Sequence, residues 1–183
     1  MLRCLTDLTT VDGKPNTRGE SKMAVEEEAG TLLKHQRKTI AVAEACTAGM
    51  VGFLLTSIPG SSSYFYGGVL CYARAVKVNV LGVHSETLAT YGSVHRVTAL
   101  EMALRVRELC ESEIGIATTG VAGPGGGTSE RPVGLFYVAI STRDGYEECW
   151  EERYDYGSRN ANREATAHLS LKLLKNYLQS CTP

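Results

Sequence analysis

The segment from residue 39 to residue 55 constrains the fold more than any other part of the chain. Residues 39–43 are a short apolar run typical of a buried β-strand, and residues 50–55 have the pattern of a helix. The intervening residues 44–49 leave room only for a sharp turn. In α/β enzymes such a turn presents a catalytic side chain beside the backbone N–H groups of a helix start. The segment therefore predicts an α/β protein with a ligand site at this turn.

The same alternation of strands and helices continues along the chain. Strands are predicted at residues 39–43, 68–73, 114–119, 133–141 and 147–154. Helices are predicted at residues 25–37, 50–55, 75–81, 93–111 and 158–179, with a turn at 86–90. Arg143, Asp144 and Gly145 are a hairpin signal, so the last two strands should be antiparallel. We therefore expect an α/β fold, a three-layer α/β/α sandwich with a mostly parallel mixed sheet.

Composition and charge limit the classes of protein to which this chain could belong. We expect one domain at residues 24–183, preceded by a polar, mobile extension at residues 1–23. The formal net charge of -1 argues against a nucleic-acid partner, and no apolar stretch is long enough to predict a membrane span. The cysteines have no C-x-x-C spacing and the histidines are scattered, which predicts a reduced, cytoplasmic protein without a metal site.

Three segments lie at the carboxyl ends of predicted strands and are expected to meet at that edge of the sheet. They are residues 44–49, 72–77 and 119–128. The third contains a glycine run whose backbone N–H groups could approach an anion closely, although the G-K-[ST] sequence of a P-loop is absent. Taken alone, a glycine run is more typical of a flexible surface loop, so both interpretations remain open.

These segments closely resemble the CinA C-terminal domain family, the nicotinamide-nucleotide amidases. Residues 44–49 read E-A-C-T-A-G where the family has E-S-C-T-G-G. Further similar segments follow in the family's order at residues 59–65, 67–72, 77, 81–83, 91–94, 119–128 and 131–134. The resemblance extends over residues 25–178 and implies the same three-layer fold. Because the N-terminal domain of full-length relatives is not found in this sequence, it also predicts a stand-alone form.

The resemblance implies a reaction that needs no cofactor. Water converts nicotinamide mononucleotide to nicotinic acid mononucleotide and ammonia, and a serine, a tyrosine and a lysine act together. Tyr72 and Lys77 match the tyrosine and the lysine, but the serine position is occupied by Ala45, which has no side-chain oxygen. Loss of a serine nucleophile costs a comparable hydrolase on the order of a million-fold in turnover. Ala45 therefore predicts that the ordinary mechanism is nearly abolished.

The resemblance also implies a set of substrate-binding residues in the turn, the glycine loop and the last helix. They are Glu44, Cys46, Thr47, Thr119, Gly120, Gly123, Gly125, Gly126, Arg159 and Arg163. The two arginines share a helix face, which fits phosphate binding, a solvated surface or a subunit contact. Cys46 is expected to be structural and Thr47 to be a helix cap or an oxyanion-loop residue.

Three interpretations of Ala45 remain open. The chain is an amidase by descent whose site has been altered, a non-enzymatic relative that binds a pyridine nucleotide or a protein partner, or an enzyme that uses Cys46 or water activated by Lys77. Two further departures favour natural divergence: Ala48 replaces the family's usual glycine, and residues 73–74 replace its serine–asparagine pair. The implied ligand is a nicotinamide nucleotide, and family habit predicts a homo-oligomer.

Overall fold

The computed structural model describes residues 23–181, and these contain one five-stranded sheet. The predicted mobile extension, apart from Met23, lies outside the described residues. The strands are β1 (Ile40–Glu44), β2 (Phe65–Leu70), β3 (Ile114–Gly120), β4 (Leu135–Thr142) and β5 (Glu147–Arg153). The helices are α1 (Val25–Gln36), α2 (Met50–Thr56), α3 (Arg74–Asn79), α4 (Ser85–Tyr91), α5 (Arg96–Leu109) and α6 (Arg159–Ser180), with a short 3-10 turn at Ser61–Ser63.

The strand order in the sheet is β2-β1-β3-β4-β5. β1 pairs in parallel with β2 and with β3, whereas β3 with β4 and β4 with β5 are antiparallel pairs. Of these five strands β4 alone runs in the opposite direction, which confirms the mixed, mostly parallel sheet and the predicted hairpin. The carboxyl ends of β1, β2 and β3 consequently lie at one edge of the sheet, where ligands bind in open α/β folds.

Helices cover both faces of the sheet, and the side chains on one face differ in size from those on the other. Ile40 of β1 belongs to the core beneath α1, α2 and α6, whereas Ala41, on the opposite face, packs under α5. A Cβ atom on Gly115 would lie 2.0 Å from the carbonyl oxygen of Ala103. Because that position has no side chain, α5 can pack directly on the backbone of β3.

Several elements near the site differ from their predicted bounds. The strand predicted at residues 68–73 is β2 (Phe65–Leu70), so Tyr72 follows this strand and does not belong to it. Helix α5 begins at Arg96 rather than at Ser93, because the His95 imidazole accepts a hydrogen bond from the backbone N–H of Val97 and caps the helix there. Residues 93–94 are thereby left as a loop. The predicted turn at 86–90 is the helix α4.

The apolar stripe predicted for the last helix is confirmed by the burial of its residues. Ala167, Leu171, Leu174 and Leu178 have no exposed surface in α6. Among residues 23–181, none of the helices combines the length and the apolar character that crossing a membrane requires.

Candidate functional site

A cavity of 270 Å³ lies at the carboxyl edge of the sheet, beyond the ends of β1, β2 and β3. It is bounded by the turn after β1, the segment from the end of β2 into α3, the loop before α5, the glycine loop after β3 and the start of α6. Ten of the predicted site residues line it: Ala45, Cys46, Tyr72, Lys77, Thr119, Gly120, Gly123, Gly125, Gly126 and Arg159. Glu44, Thr47 and Arg163 are not among its lining residues.

Ala45 lies in the wall of the cavity at the start of the sharp turn. Only 6% of its surface is exposed, and its backbone N–H donates a hydrogen bond of 3.0 Å to the carbonyl oxygen of Thr118. That bond continues the pairing of β1 with β3 by one residue and fixes the direction of the Ala45 methyl group. The wall at this point therefore offers a ligand a methyl group and no hydroxyl.

The Glu44 carboxylate caps helix α2 from beneath the turn. Its Oε2 accepts hydrogen bonds from the Thr47 hydroxyl at 2.6 Å and from the N–H groups of Gly49 and Val51 at 2.8 and 3.1 Å. Its Oε1 accepts a bond of 2.8 Å from the N–H of Gly52. These N–H groups at the start of α2 are therefore occupied by Glu44 rather than directed to a ligand in the cavity.

Thr47 and Arg163 hold the same turn from the other side. The hydroxyl oxygens of Thr47 and Thr118 are 2.7 Å apart, which joins the turn to β3. The Arg163 guanidinium donates from Nε to the carbonyl oxygen of Cys46 at 3.1 Å and from Nη2 to that of Thr47 at 3.0 Å. In this structure, Glu44, Thr47 and Arg163, all predicted to bind substrate, position the turn that bears Ala45 and Cys46.

Lys77 is a buried residue that lines the cavity. Only 1% of its surface is exposed, and Nζ donates a hydrogen bond of 2.5 Å to the carbonyl oxygen of Cys71. The carbonyl oxygen of Tyr72 is 3.5 Å from the same nitrogen. Within residues 23–181, no carboxylate forms an ion pair with Lys77. Burial lowers the pKa of the amine, which favours its neutral form.

Tyr72 and Arg159 meet at the mouth of the cavity. Tyr72 is 63% exposed, and its hydroxyl oxygen accepts a hydrogen bond of 2.8 Å from Nη2 of Arg159. Nη1 of the same guanidinium donates to the carbonyl oxygen of Gly123 at 2.8 Å. Because the arginine is the donor, the phenolic proton of Tyr72 stays available to a ligand.

The glycines of the loop after β3 fall into two groups. A Cβ on Gly120 would lie 2.4 Å from Cδ1 of Phe136, and one on Gly123 would lie 2.6 Å from Cγ1 of Val133, so close packing requires both glycines. Gly125 and Gly126 border open space instead, and their N–H groups have no acceptor in the described part of the chain. These two N–H groups could bind an anion.

Cys46 also lines the cavity, but its thiol is protonated at neutral pH. Only 4% of its surface is exposed, and burial raises its pKa to about 12. The thiolate is the nucleophilic form of cysteine, so this environment disfavours Cys46 as a replacement for the missing serine.

Four lining residues were not among the predicted site residues. Ser93 and Val94 belong to the loop before α5, and Val121 and Ala122 belong to the glycine loop. Thr119 connects these two loops, since its hydroxyl donates a hydrogen bond of 2.7 Å to the carbonyl oxygen of Ser93. Both loops contain segments that resemble the family, and that similarity could have identified them.

The model of the CinA C-terminal domain matches residues 22–178 of this sequence. The chain belongs to the CinA C-terminal domain family. It is 45% identical over 161 residues to a competence-damage inducible protein of Halothermothrix orenii, covering 88% of this chain and 39% of that protein. A CinA-like protein of Amoebophilus asiaticus is 41% identical over 167 residues, covering 91% of this chain and 39% of that protein. The chain thus spans about two fifths of the length of these relatives.

Solved structures of the CinA family have the same fold. The competence/damage inducible protein CihA from Agrobacterium tumefaciens aligns with a TM-score of 0.80 at 38% identity, covering 85% of this chain and 95% of that one. The competence damage-inducible protein A (ComA) from Klebsiella pneumoniae aligns with a TM-score of 0.82 at 26% identity, covering 86% and 97%. The predicted α/β fold is thereby confirmed.

Proposed function

We propose that this CinA-family chain binds a nicotinamide nucleotide in the 270 Å³ cavity and lacks the acyl-enzyme route of the amidases that it resembles. The observation that supports this proposal is the shared wall of Ala45, Tyr72 and Lys77. Tyr72 and Lys77, which match the family's tyrosine and lysine, line this wall. Ala45, at the position of the family's serine, has no nucleophilic oxygen. A ligand could therefore be held without being attacked.

The polar groups around the cavity suit an anionic nucleotide. The N–H groups of Gly125 and Gly126 and the guanidinium of Arg159 are the donors that a phosphate group would use. The cavity volume is close to the lower end of the range, about 300–1,000 Å³, of sites that bind small molecules. These features support a mononucleotide as the ligand, and the identity of its base rests on the family resemblance.

The chemistry of the missing oxygen limits turnover. A neutral Lys77 amine could remove a proton from a serine hydroxyl, but the Ala45 methyl group has no acidic proton. A million-fold loss of turnover corresponds to about 8 kcal/mol of lost transition-state stabilisation. The groups that bind the substrate would by themselves provide only weak residual catalysis.

The test compares the native chain with its Ala45→Ser variant. We expect nicotinamide mononucleotide to bind both proteins in a calorimetric titration, and only Ala45→Ser to release ammonia from it. Ala48→Ser is the matched control, because it adds the same hydroxyl to the same turn at a position that does not line the cavity. Ammonia release by the native chain would contradict the role given to Ala45, and absence of nucleotide binding would overturn the proposal.

The homo-oligomer implied by the resemblance remains a prediction. Light scattering on the purified chain measures its mass in solution directly. A mass that is a multiple of the 19.8 kDa chain would support self-association, and a mass equal to that of the chain would contradict it.

A further inference from the structure

The proposed function leaves the amine of Lys77 without a task, because no serine hydroxyl adjoins it. The side chain is buried, yet it borders a cavity that small molecules can enter. We propose that Lys77 condenses reversibly with a small anionic aldehyde in this cavity, forming an imine. The activity needs only the described side chains and does not depend on binding of a nicotinamide nucleotide.

The hydrogen bonds of Lys77 leave its lone pair free. The carbonyl oxygens of Cys71 and Tyr72, at 2.5 and 3.5 Å from Nζ, can accept the two N–H bonds of a neutral amine. The lone pair then occupies a remaining tetrahedral direction, and Lys77 is one of the residues that line the cavity. An amine held in this way is prepared for attack on a carbonyl carbon.

The surroundings of Lys77 favour the neutral amine that such an attack requires. The nearby Glu44 carboxylate is fully engaged with the turn and with helix α2, and it forms no ion pair with Nζ. Burial without a carboxylate partner lowers the pKa of Lys77. Lys172, by contrast, is an exposed residue of α6.

The condensation is balanced without an oxidant or a reductant. Nζ forms a bond to the aldehyde carbon while the electron pair of the carbonyl group moves to oxygen, which takes a proton from the Tyr72 hydroxyl. The nitrogen of the resulting carbinolamine returns one of its two protons to Tyr72. The carbinolamine then loses its hydroxyl group and the remaining nitrogen proton as water. The net reaction converts an amine and an aldehyde to an imine and water.

The anion sites of the cavity define the class of aldehyde. The free N–H groups of Gly125 and Gly126 and the Arg159 guanidinium would bind a phosphate group on the same molecule. We therefore expect a phosphorylated aldehyde to react faster than its unphosphorylated counterpart. Pyridoxal 5'-phosphate and pyridoxal are a matched pair of probes for this comparison.

The experiment treats the full chain with equimolar pyridoxal 5'-phosphate at pH 7, reduces any imine with borohydride and locates the label by peptide mass analysis. We expect most of the label on Lys77, at least tenfold above Lys172, and less label from pyridoxal. Labelling that follows exposure, with Lys172 labelled as much as Lys77, would overturn the proposal.

Two variants test whether the label is specific to Lys77. Lys77→Met should remove the main label while keeping a buried side chain of similar length, and Lys172→Met should leave it in place. The map of the native chain remains decisive if Lys77→Met does not fold. Nucleotide binding is measured separately, so its absence together with a labelled Lys77 would refute only the proposed function.

Discussion

We predict that replacing Glu44 by glutamine destabilises the chain strongly although the two side chains have nearly the same shape. The Glu44 carboxylate is 1% exposed and accepts hydrogen bonds from Thr47, Gly49, Val51 and Gly52. Glutamine has one oxygen in place of two, and its NH₂ group is a donor. In the least harmful orientation the NH₂ group replaces Oε1, and the N–H of Gly52 then loses its acceptor.

The magnitude follows from these bonds. A buried N–H without an acceptor costs about 1–3 kcal/mol, and each of the other bonds loses about 1 kcal/mol when its acceptor is no longer charged. With the three other bonds the sum is about 4–6 kcal/mol, a large part of the roughly 5–15 kcal/mol that stabilises a typical domain. In a chain of this size it corresponds to a decrease in Tm of about 8–24 °C.

Urea unfolding of the native chain and of Glu44→Gln, followed by circular dichroism, measures this difference. Glu164→Gln is the matched control, because Glu164 is an exposed residue of α6 and its replacement should change the free energy of unfolding by less than about 0.5 kcal/mol. Equal effects of the two substitutions would refute the conclusion that Glu44 satisfies the start of α2.

Two further predictions concern the same turn. Ala48 has a φ of 49°, a left-handed conformation that favours glycine. Ala48→Gly should therefore raise the free energy of unfolding by about 1 kcal/mol. The control, Ala89→Gly in helix α4, should lower it by a similar amount. Destabilisation by both substitutions in urea unfolding would contradict the first. Cys46, with a pKa of about 12, should exist as thiolate in only about one molecule in ten thousand at pH 8, so iodoacetamide should label the exposed Cys181 long before Cys46. Equally fast labelling of both cysteines, read by mass analysis, would contradict the second.

Much of the fold followed from local patterns in the sequence. Three such patterns are the apolar run before the turn, the hairpin signal at Asp144 and Gly145, and the apolar stripe of α6. Each depends only on residues that are close together in the sequence. The predicted start of helix α5 was less accurate, because the side chain at the end of the helix decides where it begins. His95 caps α5, a role that the sequence pattern did not predict.

The sequence by itself also determined that the serine position is occupied by alanine and that Tyr72, Lys77 and the glycine loop lie near the carboxyl ends of strands. Tertiary structure alone decided what each polar group contacts. Glu44 and Arg163 resembled ligand-binding residues, but the closing of the turn against β3 and α6 directs their polar atoms to backbone groups. Lysine is common on exposed helix surfaces, and only the tertiary structure shows that Lys77 is buried, with its amine bonded to the carbonyl oxygen of Cys71. The physical reason is that hydrogen-bond partners and burial depend on segments far apart in the chain, which local sequence patterns do not encode.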